Sequence, residues 1–79
     1  MAEEIREIVK VLVIFDAGIR PIIFRWRGKV YPVKDVTHSW KSKDGGVQLM
    51  HFAVTDGGAL YELSYNPSTS CWLLERVEP

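Results

Sequence analysis

Residues 47–65 read VQLMHFAVTDGGALYELSY, and this stretch decides the fold class. Asp56-Gly57-Gly58 is the strongest hairpin signal in the chain, because glycine reaches the positive backbone angles that a tight reversal needs. Before it, Phe52 and Val54 share one face with Met50. After it, Ala59, Tyr61, Leu63 and Tyr65 alternate with Leu60, Glu62 and Ser64. A period of two places successive side chains on opposite faces of a strand. The segment therefore predicts two antiparallel strands, each with one face buried.

The pattern extends in both directions. Asn66 to Ser70 reads as a turn, and Cys71 to Val77 as the last strand. Upstream, Ser42 to Gly46 is a turn with two glycines. Val36, His38 and Trp40 form an extended piece of one parity. Val30 to Val36 predicts a return strand, with Pro32 at an edge or bulge because it lacks a backbone donor. It follows Ile22 to Arg27 across a reversal at Arg27-Gly28-Lys29; Ile22, Phe24 and Trp26 face one way there, Ile23, Arg25 and Arg27 the other. Val9 to Phe15 has the β-branched density of a strand, and Asp16-Ala17-Gly18 closes it. Residues 3–8 suit a short helical turn by charge.

About six strands with turns every 8–15 residues predict an all-β domain spanning residues 1–79. Its form is a small antiparallel meander curled into an SH3-like barrel or roll. The alternative is an open sheet with the N-terminal segment packed across it as a helix.

The chain has 79 residues, 47% of them hydrophobic, with three Trp, three Tyr and three Phe. This excludes a disordered or collagen-like chain and a multidomain enzyme. So short a chain buries only about 60–65% of its unfolded surface. With Cys71 as its one cysteine, no intrachain disulfide forms, which fits the reducing cytoplasm. The start is acidic rather than basic, unlike a signal peptide. The longest apolar run, Val11 to Phe15, is far below the roughly 20 residues that span a bilayer. A cytoplasmic location without membrane contact is expected.

Ten basic and ten acidic residues give a formal net charge of zero. The zero conceals a division. Residues 1–43 carry nine basic and five acidic groups, and residues 44–79 one basic and five acidic. Residues 20–43 hold seven Lys or Arg against Asp35 alone.

Arg25, Arg27, Lys29 and Lys34, interleaved with Trp26, Tyr31 and Trp40, form the one candidate binding surface. Cations for phosphate and rings for base stacking are the combination that single-strand binders use. Parity assigns Trp26 to the core and Arg25 and Arg27 to a solvated face. His38, His51 and Cys71 have ligand chemistry, but spacings of 13 and 20 residues match no metal motif. Cys71 with either histidine would make a nucleophile and base if they converged; beside Trp72 it reads more simply as a small buried hydrophobe. Asp16 and Asp56 lie in turn signatures, where a carboxylate bonds local N–H groups. The double glycines lack a P-loop ending. No catalysis, cofactor, metal or small-molecule substrate is expected.

Phe24, Trp26, Gly28, Tyr31, Val33, Val36 and Trp40, then Thr55-Asp56-Gly57-Gly58, Tyr61-Glu62-Leu63, Tyr65, Trp72 and Leu74-Glu75-Arg76-Val77 form a longer pattern. It resembles an uncharacterised family of small bacterial β-rich domains over residues 21–77. The resemblance implies a short stand-alone protein, some relatives of which accompany translesion-polymerase-like proteins of the DNA-damage response. It brings no catalytic or cofactor residue. Gln48, Leu49 and Met50 depart from the more aromatic and basic character of the family there.

The expected function is a non-catalytic binding or accessory module for a protein partner. One alternative is weak nucleic-acid binding through segment 25–34. Another is a self-associating structural domain, because Val9, Val11, Val13 and Phe15 on one face of the first strand and Ile8, Leu12 and Ile14 on the other all need cover. A homodimer would supply it.

Overall fold

In a computed structural model describing residues 2–79, seven strands follow one another in a single antiparallel sheet. They are β1 (Glu3–Phe15), β2 (Ile19–Trp26), β3 (Lys29–Pro32), β4 (Asp35–Asp44), β5 (Val47–Thr55), β6 (Leu60–Asn66) and β7 (Cys71–Glu78). The order across the sheet is β3-β2-β1-β7-β6-β5-β4. The all-β antiparallel expectation holds; the strand count is seven rather than six. Residues 3–8 are strand, not helical turn, because Glu3, Glu4, Glu7 and Ile8 pair with β7. A non-local ladder thus outweighs a local charge preference.

The long β1 strand lets one sheet roll over on itself. Its first half pairs with β7 and its second half, from Lys10, pairs with β2. Bulges bend the sheet at Arg6 in β1, between Leu12 and Val13 against β2, and between Val36 and His38 in β4. Arg6 takes φ 55° there. The two outer strands, β3 and β4, are consecutive in the chain and come together at residues 33–34. Val33 N–H bonds the Ile22 carbonyl at 2.9 Å, and Lys34 N–H bonds the Thr55 carbonyl at 2.8 Å. One residue thus belongs to each side of the seam. The result is a roll rather than a closed barrel, since no ladder joins β3 to β4.

The inner faces meet in one core. Val9, Phe24, Phe52, Val54, Tyr61, Leu63, Trp72 and Leu74 are buried. Phe24 is stacked on Tyr31 at 5.1 Å and edge-on to Tyr61 at 5.1 Å, so three rings join the two halves of the roll. Such pairs each add about 0.5–1.5 kcal/mol beyond area burial. The β4–β5 connection is tight: Gly45 and Gly46 both have positive φ, at 58° and 85°. A two-residue turn of this kind matches the sheet twist and fixes the register Trp40↔His51 and Ser42↔Leu49. The expected turn at Ser42 is shorter than its composition suggested, because β4 runs on to Asp44.

Candidate functional site

The basic and aromatic residues singled out from the sequence do not form one surface. Arg27 sits at the β2–β3 turn with φ 52° and turns its guanidinium to β1. Its Nη2 donates to Glu7 Oε2 at 2.6 Å and its Nε to Glu7 Oε1 at 3.2 Å. Trp26 Nε1 donates to the same Oε1 at 2.9 Å, and the Arg27 guanidinium lies 4.6 Å from the Trp26 ring centroid. Arg27 and then Trp26 hold the Glu7 carboxyl below its ordinary range; Glu7 in turn raises the Arg27 pKa. Arg27 and Trp26 thus fasten a hairpin to β1.

Tyr31 is half-buried, stacked in the core, with Lys29 Nζ 5.6 Å from its ring centroid. Lys34 lies at the seam against Gly57. Trp40 belongs to the other half of the roll, stacked face to face on His51 at 5.1 Å with His38 at 5.3 Å on the same strand. Of the six proposed surface residues, Arg25 alone lies on the outer face of β1–β2–β3.

That outer face has a consistent chemistry. Its cross-strand rows are Ile14 with Arg20, Leu12 with Ile23 and Pro32, and Lys10 with Arg25 and Val30. Leu12 is 58% exposed, Val30 57% and Ile14 40%. Ile8, opposite Leu73 and 75% exposed, extends the apolar stripe along β1. Lys10, Leu12, Ile23 and Arg25 share a shallow hollow. Every charged side chain in these rows is a cation. Contiguous apolar surface rimmed by polar groups marks an interaction site more reliably than scattered exposed hydrophobes do.

A second constellation lies on the outer face of the other half. Ser42 Oγ and His51 Nε2 are 2.6 Å apart. His51 Nδ1 lies 3.4 Å from Glu62 Oε2 but makes no hydrogen bond, and Glu62 Oε1 is 3.9 Å from Arg76 Nε. Beside it Ser64, 3% exposed, donates to Glu75 Oε2 at 2.6 Å, and Arg6 Nε is 3.7 Å from Glu75. Serine, imidazole and carboxylate in this order resemble a nucleophile relay. Acyl transfer would also need donors for the oxyanion, and Trp40 occupies the face of the His51 ring. The arrangement fixes the imidazole and supplies polar partners on a sheet face.

The sequence left open whether His38, His51 and Cys71 converge; the groups beside His51 are Ser42 and Glu62. The two-residue turn at Gly45-Gly46 contained the register that brings Ser42 and His51 together. Cys71 is exposed, contrary to the expected buried thiol, because it begins β7 opposite Asn66 at the sheet end. Among the described residues, no three His, Cys, Asp or Glu side chains are placed to hold a metal, and no helix is long and apolar enough to cross a membrane. Asp56 behaves as its turn signature predicts: Oδ1 accepts from Gly58 N–H at 2.9 Å and Ala59 N–H at 3.0 Å. No family model, curated protein or solved structure matches the chain.

Proposed function

We propose that the chain is a non-catalytic module that binds a protein partner through the outer face of β1–β2–β3. The observation that carries this reading is the exposed Leu12–Ile23–Pro32 row between rows that hold Lys10, Arg25 and Arg20. Burying the exposed parts of Leu12 and Val30 contributes on the order of 1 kcal/mol each. The cations steer and orient whatever docks there. The complementary partner is a segment with apolar anchors and flanking carboxylates.

The alternatives are less well supported by the same residues. A two-fold pairing of this face with a second copy brings Lys10, Arg20 and Arg25 against their own kind, since such an interface opposes identical patches. Single-strand binding by base stacking requires exposed rings, and Trp26 and Tyr31 are engaged in the core. The exposed, unpaired Cys71 suits a reducing compartment such as the cytoplasm.

Selection from a random peptide display library tests the reading. The expected ligands are acidic and apolar, and they lose binding to a Leu12→Asp, Ile23→Asp variant. Ligands that bind this variant as well as the original chain would place recognition elsewhere.

A further inference from the structure

We infer that two copies of this chain join edge to edge through Val11–Phe15 of β1, antiparallel about a two-fold axis at Val13. The inference stands apart from the docking face proposed above. Pairing along the edge leaves that face open and makes it continuous across both copies.

Main-chain accounting supplies the first reason. β1 leaves β7 at Val9, opposite Trp72, and pairs with β2 from Lys10 onward. Among the described residues, no strand or turn bonds the other side of Val11–Phe15. Groups along a strand point alternately to its two sides. The Ile22 carbonyl accepts from Val33 N–H, just past β3, so its neighbour Ile23 faces β1, where it meets Leu12. Val11, Val13 and Phe15 therefore turn their N–H and C=O groups outward. The extra residue of the nearby bulge is Ile22 of β2, so β1 itself stays regular. Free edges are ordinarily guarded by charge, proline or bulges. β3 has Lys29 and Pro32, and β4 has Lys41, Lys43 and a bulge at Val36–His38. Val11-Leu12-Val13-Ile14-Phe15 carries apolar side chains throughout.

Self-complementarity supplies the second reason. With Val13 on the axis, Val11 lies opposite the second copy's Phe15, Leu12 opposite its Ile14, and Lys10 opposite its Asp16. Every outward main-chain group meets another. The rows are apolar except the last, which opposes unlike charges. Among the described residues, neither Lys10 nor Asp16 makes an ion pair within the chain. Sliding one copy by two residues sets Lys10 opposite Ile14, or Asp16 opposite Leu12. The third reason is Phe15. It shares parity with Val11 and Val13, which pack against the core, yet it is 80% exposed, because β7 begins only at Cys71 and does not reach it. An open hollow of about 480 Å³ lies beside Val11, lined also by Tyr65, Cys71 and Trp72. The second copy's Phe15, opposite Val11, fills it.

Sedimentation of the full chain from about 10 µM to about 1 mM tests the pairing. The expected result is a shift from 9.1 kDa to twice that mass as concentration rises. Amide exchange should slow with concentration at Val11, Val13 and Phe15, whereas the Leu12 and Ile14 amides, which face β2, change little. Phe15→Ser, at an exposed position, should weaken association at least tenfold and leave the circular-dichroism spectrum unchanged. Lys10→Glu alone or Asp16→Lys alone should weaken it about tenfold by opposing like charges, and the two together should restore it.

A single 9.1 kDa species over the whole range overturns the inference. So does a dimer that ignores Phe15→Ser and both single charge reversals, since its interface then lies elsewhere. A foreign strand is the other occupant such an edge accepts. Display-selected peptides that protect the same three amides on a chain that stays monomeric would overturn pairing with a second copy.

Discussion

Replacing Tyr61 with Phe tests the tie that holds the β5–β6 turn to the core. Tyr61 is 6% exposed, its ring packs against Phe24 and Tyr31, and its hydroxyl donates to Asp56 Oδ2 at 3.0 Å. Burial, and then the Asp56 carboxylate, push the Tyr61 pKa from 10.0 up to about 12. Because the folded pKa lies above the unfolded one, the tie contributes fully below pH 10 and is lost as pH rises through 12. At about 1.36 kcal/mol per pH unit, a shift of this size, from burial and the tie together, removes roughly 1 kcal/mol of stability by pH 11. Tyr61→Phe should cost about 1–2 kcal/mol at pH 8 by removing a hydrogen bond to a charged acceptor. Other groups titrate equally in both proteins. Urea unfolding followed by far-UV circular dichroism at pH 8, 10 and 11 should therefore show the gap between them narrowing by roughly 1 kcal/mol. A gap that stays constant over this range would refute the reasoning.

Leu63→Ala should cost about 2–5 kcal/mol in equilibrium unfolding, since Leu63 is fully buried at the centre of the core. Ser42→Ala removes the partner of His51 Nε2. It should cost about 1–3 kcal/mol and shift the His51 ring resonances, whereas unchanged resonances would contradict the contact. Glu7→Ala should move the Trp26 indole N–H resonance and speed its exchange with solvent. The original chain should show the same change under acid: the Glu7 carboxyl titrates below its ordinary 4.5, so the pair persists above that range and is lost as pH falls through the lowered value.

Much of the roll was legible because it is written in local patterns. Period-two alternation located the β2, β5 and β6 strands, and turn chemistry located their hairpins. Three features escaped because long-range pairing creates them. The first is the N-terminal extension of β1, which exists as strand only against Val77 and Arg76 of β7. The second is the seam at residues 33–34, where the chain leaves β2 for β5. It sends Trp40 to the far half of the roll, although nine residues separate it from Tyr31 in sequence. The third is the recruitment of Glu7 by Arg27 and Trp26, across 20 and 19 residues respectively.

The candidate face was half visible. The sequence marked Ile8, Leu12 and Ile14 as needing cover, and Arg25 as basic surface; only the β1–β2 register shows that Leu12, Ile14 and Arg25 belong together. The most prominent aromatic and leucine positions of the sequence have a different character. Phe24, Tyr61, Leu63, Trp72 and Leu74 are buried, and Asp56 shapes a turn. These positions hold the core and a turn, while the cationic apolar face is built from other residues.

The most direct measurement of the central claim is amide chemical-shift mapping of the intact chain titrated with an acidic, apolar peptide selected from the display library. The account predicts that the perturbed residues cluster at Lys10, Leu12, Ile14, Ile23, Arg25 and Val30. Perturbations centred instead on Trp40, His51 and Glu62, or none at all, would contradict it.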